Sequence, residues 1–155
     1  MPDVKINNEL TLTYPEGFQE MNEETLTRYF SSPKNRWGVY DPERHVIISV
    51  SWTKAGFFSF LTDAENVLLS AQARMRSNLI NYKRTSSSKM KIAGKKGFGF
   101  RFEYRVNDRN IYQSGDLRAF KYKGKFYALE YIGRRITDEE HHPIFEEVME
   151  SVKVG

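Results

Sequence analysis

The stretch KKGFGFRFEY, residues 95–104, alternates so strictly that its two parities cannot be equivalent. Phe98, Phe100, Phe102 and Tyr104, continued by Val106, form one row; Gly97, Gly99, Arg101, Glu103 and Arg105 form the other. A period of two is the signature of a strand with one buried side. Burying each large apolar group is worth roughly 1.5–3 kcal/mol, so a register that exposes all five forfeits on the order of 10 kcal/mol, comparable with the whole stability of a domain. The aromatic row therefore faces the core, and the row of Arg101 is expected to face water.

That assignment answers a second reading of the same residues. Lys96 to Phe100 match the first five positions of the octapeptide with which RNA-recognition domains stack bases. The motif needs apolar residues at its sixth and eighth places, which turn inward; here they are Arg101 and Glu103. No companion strand with its own exposed aromatic precedes it, and nucleic acid is the weaker reading. Gly94, Gly97 and Gly99 fit neither the dinucleotide fingerprint nor a P-loop, since Gly94-Lys95 is followed by Lys96 and a strand. Gly94 instead serves a hairpin turn.

Working outward, residues 4–14 read as a hairpin about Asn7-Asn8, closed by Pro15 and Gly17. Asn22 caps a short helix that Pro33 ends. Two strands flank Asp41-Pro42, with Val46, Ile48, Val50 and Trp52 as an inward row. Thr62 or Asp63 caps a longer helix carrying Ala64, Val67, Leu68, Ala71, Met75 and Leu79 at spacings of three and four, with Asn81 as its stop. Residues 82–132 read as a meander broken at Ala93-Gly94, Asn107-Asp108 and Lys123-Gly124, so its strands are antiparallel. FYALEYI, residues 126–132, is apolar on both parities except at Glu130, as a central strand covered on both faces requires. A last helix is expected from His142-Pro143, burying Phe145, Val148 and Met149. The fold class is α+β: one domain over residues 1–155, an α/β/α sandwich with a largely antiparallel sheet.

Composition narrows the function classes. The 155 residues contain no cysteine, which removes disulfides, thiolate metal sites and cysteine nucleophiles, and suits a reducing cytoplasm. No basic segment leads into an apolar run, and no stretch approaches the roughly 18 apolar residues of a membrane span. A soluble cytoplasmic protein is expected. The net charge of +4 is unevenly spread: residues 1–80 hold 8 Lys+Arg against 10 Asp+Glu, and residues 81–155 hold 16 against 10. Alternate outward positions of solvated strands need such charges to discourage edge pairing. The functional alternative is a polyanion surface built from Lys95, Lys96, Arg101 and Arg105.

Candidate chemistry is sparse. His141 and His142 could meet Asp138, Glu139 or Glu140, but adjacent histidines diverge and zinc needs converging ligands, so no metal and no cofactor is expected. The acidic residues suit a helix N-terminus. No Gly-x-Ser-x-Gly elbow is present, and no catalytic constellation stands out, so an enzyme is not expected. Phe57, Phe58 and Phe60 crowd the loop between a strand and a helix. They either fold onto the core beside Trp37 or form a contact for a protein partner, a second copy of this chain included. With the basic meander, such a patch suits an amphipathic, acidic partner segment.

LTYPEGF at residues 12–18, the tryptophan strand, the hairpin at residues 91–104, GKFYALEYI at residues 124–132 and FEEVMESV at residues 145–152 together resemble the PsbP-like fold family. That family includes the extrinsic PsbP protein of photosystem II, a Ran-binding nuclear import factor and bacterial DcrB-type proteins, and the present chain looks like a bacterial-type member. The resemblance spans nearly the whole chain. It implies an antiparallel sheet between helices and a binding, adaptor or chaperone-like role for a protein partner. No functional residue carries over, because the turns and apolar rows, not a site, carry the likeness.

Overall fold

The structure, a computed structural model, describes residues 3–30, 32–54, 63–106 and 109–155. Strands β1 (Asp3–Ile6) and β2 (Leu10–Thr13) form the first hairpin, with Asn7 and Asn8 both left-handed at φ 53° and 55°, a region asparagine tolerates. After β3 (Gln19–Glu20), α1 (Glu23–Tyr29) starts where Asn22 Oδ1 accepts the Thr25 backbone N–H at 2.9 Å. Strands β4 (Arg36–Asp41) and β5 (Val46–Lys54) follow, joined through Asp41, whose Oδ1 accepts the N–H groups of Glu43 and Arg44. Asp63 caps α2 (Ala64–Asn78) in the same manner, accepting from Asn66 at 3.0 Å. The meander is β6 (Ile80–Ile92), β7 (Lys95–Arg105), β8 (Tyr112–Tyr122) and β9 (Lys125–Arg134); α3 (Asp138–Glu150) and β10 (Lys153–Val154) complete the chain.

All pairings are antiparallel. The large sheet has the order β3-β4-β5-β9-β8-β7-β6, and β10 joins the small one beside β2. The chain leaves β5, crosses on α2 to the far edge, and returns strand by strand until β9 pairs with β5 from Ile47↔Ile132 to Lys54↔Lys125. The central position expected for residues 126–132 is therefore the one β9 holds.

Each face of the large sheet has its own core. Phe98, Phe100 and Phe102 are buried with Leu117 and Ala119 beneath Ala64 and Leu68 of α2. On the other face Val46, Ile48, Val50, Tyr127, Leu129 and Tyr131 pack against Phe145, Val148 and Met149 of α3 and against Leu10 and Leu12 of the small sheet. The row expected to face water on β7 lies on this second face at Gly97, Gly99 and Arg101. Gly97 and Gly99 are buried there, and Arg101 reaches Asp138 at 2.9 Å, the first residue of α3. The row is polar because it meets the charged N-terminal end of a helix.

Two boundaries differ from expectation. Helix α3 starts at Asp138, a full turn before Pro143, which lies inside it. The gain at the start outweighs the hydrogen bond that proline removes: Asp138 accepts from Arg101 and from the Tyr131 hydroxyl, and Asp138, Glu139 and Glu140 suit the positive end of the helix. Helix α2 ends at Asn78, and Asn81, at φ 53°, falls within β6.

Phe102 and Gly115 are register partners, and a Cβ on Gly115 would lie 2.2 Å from Phe102 Cζ, a ring with no exposed surface. Glycine at 115 is thus what lets the aromatic row lie flat. Gly115→Ala should destabilise the fold by about 1–3 kcal/mol, the ordinary range for overpacking. Urea unfolding measures this, and Phe102→Leu in the same background should recover part of the loss; additive losses would show that the ring is not the obstacle.

Candidate functional site

Two clusters of polar groups lie under helices, and they differ in whether their groups are satisfied. Beneath α3, Asp116 on β8 accepts from Arg118 at 3.1 and 2.8 Å and lies 2.7 Å from His142 Nε2. The same guanidinium donates to Glu146 at 2.7 Å and lies over the Phe145 ring. Asp116, His142 and Glu146 place ligand-type atoms within 4.8 Å of one another, the only such group among the described residues. Arg118 already supplies positive charge to both carboxylates, so a metal ion must displace a buried, doubly paired guanidinium to enter. Burial opposes the Asp116 charge, but hydrogen bonds from His142 and Arg118 outweigh it, and its carboxyl sits below the ordinary value. This cluster fastens α3 to the sheet.

Among the described residues, nothing covers the centre of the opposite face. Helix α2 covers β7 and β8, and α1 covers β4, where a Cβ on Gly38 would touch Met21 Sδ at 3.1 Å and Leu26 Cδ2 at 3.5 Å. Between them β5 and β9 form the floor of a groove of about 1200 Å³. Its base consists of the register pairs Ile47↔Ile132, Ser49↔Glu130 and Ser51↔Ala128. Val67, Ala71 and Met75 of α2 form one wall, and Tyr29 and Phe30 at the end of α1 the other. Small side chains at 49, 51 and 128 keep the floor low, while Tyr29 and Ile80 rank among the exposed large hydrophobics of the described chain.

Several polar groups in this groove lack partners. Glu130 makes no hydrogen bond or ion pair among the described residues, and burial pushes its carboxyl up to about 7, with the Arg36 charge only partly opposing. Burial lowers the Arg36 guanidinium in turn; it lies 4.1 Å from the Phe30 ring centre, and its Nε is buried without an acceptor. Arg105 Nε and Gln113 Oε1 are likewise buried without partners among the described residues. Burial, with the Glu130 charge second, pushes Tyr104 up to about 12. An apolar trough with a few unsatisfied polar groups is the usual anatomy of a binding site.

The residues singled out from sequence are distributed over several surfaces. Phe57, Phe58 and Phe60 lie outside the described residues. Trp37 sits on the α3 side of β4, half-buried, packed on Tyr14 and donating to Glu20 Oε1 at 2.8 Å, so it does not line the groove. Lys95 and Lys96 are exposed at the β6–β7 hairpin. Arg101 is held under α3 by Asp138 and Ser114, whereas Arg105 reaches the groove. Glu130 was legible as the one polar break in an apolar strand; Arg36 and Gln113 carried no sequence signal, because strand order alone brings them to this groove.

No protein-family model matches the chain, and no curated protein matches its sequence. Solved structures do. Cyanobacterial PsbP (CyanoP) from Synechocystis superposes with a TM-score of 0.71 at 12% identity, covering 99% of this chain and 92% of that one. LpqN of Mycobacterium tuberculosis, described as involved in cell envelope biogenesis, gives 0.66 at 15% identity, covering 94% and 82%. The Saccharomyces cerevisiae Ran-binding protein Mog1p gives 0.66 at 9% identity, covering 99% and 94%. The likeness at these identities is one of fold, and the chain has the PsbP-like fold. No helix among the described residues is long and apolar enough to cross a membrane.

The unpartnered Glu130 has a thermodynamic consequence. Its folded pKa of about 7 lies above the ordinary 4.5, so between those values the native chain holds a proton that the unfolded chain releases. Stability therefore falls as pH rises through this window and levels off above it. Glu130→Gln should abolish that decline and stabilise the fold at about pH 8 by about 1 kcal/mol, as suits a half-buried carboxylate that the Arg36 charge partly compensates. Urea midpoints measured across the window decide it: identical pH profiles for the two proteins would show that Glu130 is solvated.

Proposed function

We propose that the chain is a small, non-catalytic binding module for a protein partner, and that its groove receives an amphipathic helical segment with acidic margins. The observation that carries this reading is the open floor of β5 and β9 between two helices. Two strands about 4.8 Å apart match a helix about 10 Å across. At 1.5 Å rise per residue, a helix of that width fills 1200 Å³ with roughly ten residues, or three turns. The walls and floor supply the apolar contact such a helix buries.

Charge selects the margins. Lys34, Arg36, Arg74 and Arg105 line the groove, with Glu130 as its only carboxylate among the described residues. Phe57, Phe58 and Phe60 join a floor strand to a wall helix in sequence, and the reading extends to them as part of the same contact. Against an enzymatic role, no serine is paired with a histidine among the described residues, and His142 is engaged with Asp116 and Glu146. Mog1p is described as Ran-binding, which supports the view that this fold lends itself to protein partners. The absence of cysteine suits a reducing compartment, and we place the protein in the cytoplasm on that ground.

Selection of helical peptides from a displayed library against the whole chain should yield binders with an apolar face and acidic flanks. Ala128→Trp, which fills the floor, should weaken them at least tenfold, and the double change Phe57→Ala with Phe58→Ala should weaken them less. Binders indifferent to Ala128→Trp, or binders with basic flanks, would sink the proposal.

A further inference from the structure

We infer that the outer edge of β6, over residues 86–92, is a docking edge for an extended, acidic segment of a partner protein, which adds to the large sheet as an eighth strand. Strand β6 is thirteen residues long and lies last in the sheet, while the opposite edge, β3, has only two. Ten of the thirteen side chains are exposed, and the apolar packing of β6 is confined to Tyr82, Met90 and Ile92. A long strand that buries so little is held by its ladder to β7, and its other edge offers a second ladder.

The edge is not uniformly guarded. Register shifts between Ile80 and Lys83 and between Arg84 and Ser86 break the first half. From Ser86↔Arg101 to Ile92↔Lys95 the pairing is continuous, which leaves seven regular residues for a new strand. Bulges repel any added strand; regular backbone does not.

Charge then decides what can be added. Lys83, Arg84, Lys89 and Lys91 are the charged residues of β6; Glu103 stands opposite Lys83 in the ladder but is ion-paired with Arg135, and among the described residues no carboxylate lies within ion-pair distance of Lys83, Arg84 or Lys91. Lys89 lies 3.9 Å from Glu65, and both side chains are substantially exposed. A second β6 brings lysine against lysine, which disfavours pairing between copies of this chain. A segment rich in glutamate or aspartate reverses the sign, and Thr85 to Ser88 offer small, uncharged side chains that do not obstruct its approach. The lysines that discourage self-association therefore also specify the partner. This inference does not depend on the groove, which lies on the other side of α2.

The test uses the whole chain and a capped ten-residue peptide that alternates glutamate with valine. Amide hydrogen exchange, read residue by residue, should show new protection concentrated at residues 86–92, and raising the salt should weaken it. Lys89→Glu with Lys91→Glu, both exposed, should leave the spectrum of the free protein intact and weaken binding about tenfold or more. A peptide with proline in place of valine should fail, because it cannot donate to a ladder. Absence of protection at millimolar peptide overturns the proposal. So does equal binding by the proline peptide or by a ten-residue oligothymidylate, since charge alone then suffices.

Discussion

The burial of Phe98, Phe100 and Phe102 beneath α2 is the constraint from which the rest of the architecture follows. A strand has two sides, and committing the rings to one of them commits Gly99 and Arg101 to the other. Register carries that choice across the sheet, placing Leu117 and Ala119 of β8 with the rings, and Asp116 and Arg118 with Arg101. Helix α2 spans about two strands and sits over β7 and β8, where the rings are. The same face of β5 and β9 is therefore left uncovered by α2.

What seats α3 on the reverse face is charge as much as apolar packing. Arg101 and Arg118 leave adjacent strands and meet Asp138, the first residue of the helix, and Glu146, about two turns further along it, while Asp116 joins Arg118 to His142. Removing one member of the Asp116–Arg118 pair leaves a buried charge behind, a loss of about 3–5 kcal/mol, whereas an intact buried pair contributes little net stability against apolar replacements. Its value is in position. The arginines determine where the helix lies along the strands, and Gly99 admits the stem of Arg118, whose Cγ would stand 2.8 Å from a Cβ there. Of the glycines that imitate an RNA motif, Gly99 is a space for an arginine and Gly97 a space for Ile92.

This distinction marks what could be read from sequence. The strand parities, the Asn22 and Asp63 caps, the left-handed asparagines at 7 and 8 and the central position of β9 all follow from local pattern, because each is decided by neighbours in the chain. The cover over Arg101 was not legible. A row of Gly, Arg, Glu and Arg looks the same whether it meets water or a helix end that carries carboxylates. The start of α3 was hidden for the same reason, since Asp138 gains its partners from β7 and β9 and outweighs Pro143. The groove depends on β9 returning to pair with β5, about eighty residues back along the chain, and only that pairing brings Glu130 beside Ser49 and near Arg36.

The open face and the open edge then have one electrostatic character for different reasons. Around the groove, Lys34, Arg36, Arg74 and Arg105 come from four separate elements or turns, so their gathering is a product of topology. Along β6 the lysines and Arg84 are a product of sequence, placed where an unguarded edge risks self-association. The two surfaces lie on either side of α2, and among the described residues positive groups outnumber carboxylates at both: the groove has Glu130, whose charge burial disfavours, and β6 itself has no acidic residue, with Glu65 and Glu103 beside it. A partner that is apolar and acidic gains at both, whereas a basic one is repelled at both. The bias in sign survives even where shape admits a wrong segment, because the positive groups of the two surfaces stand on opposite flanks of one helix and act on an approaching chain before contact is made.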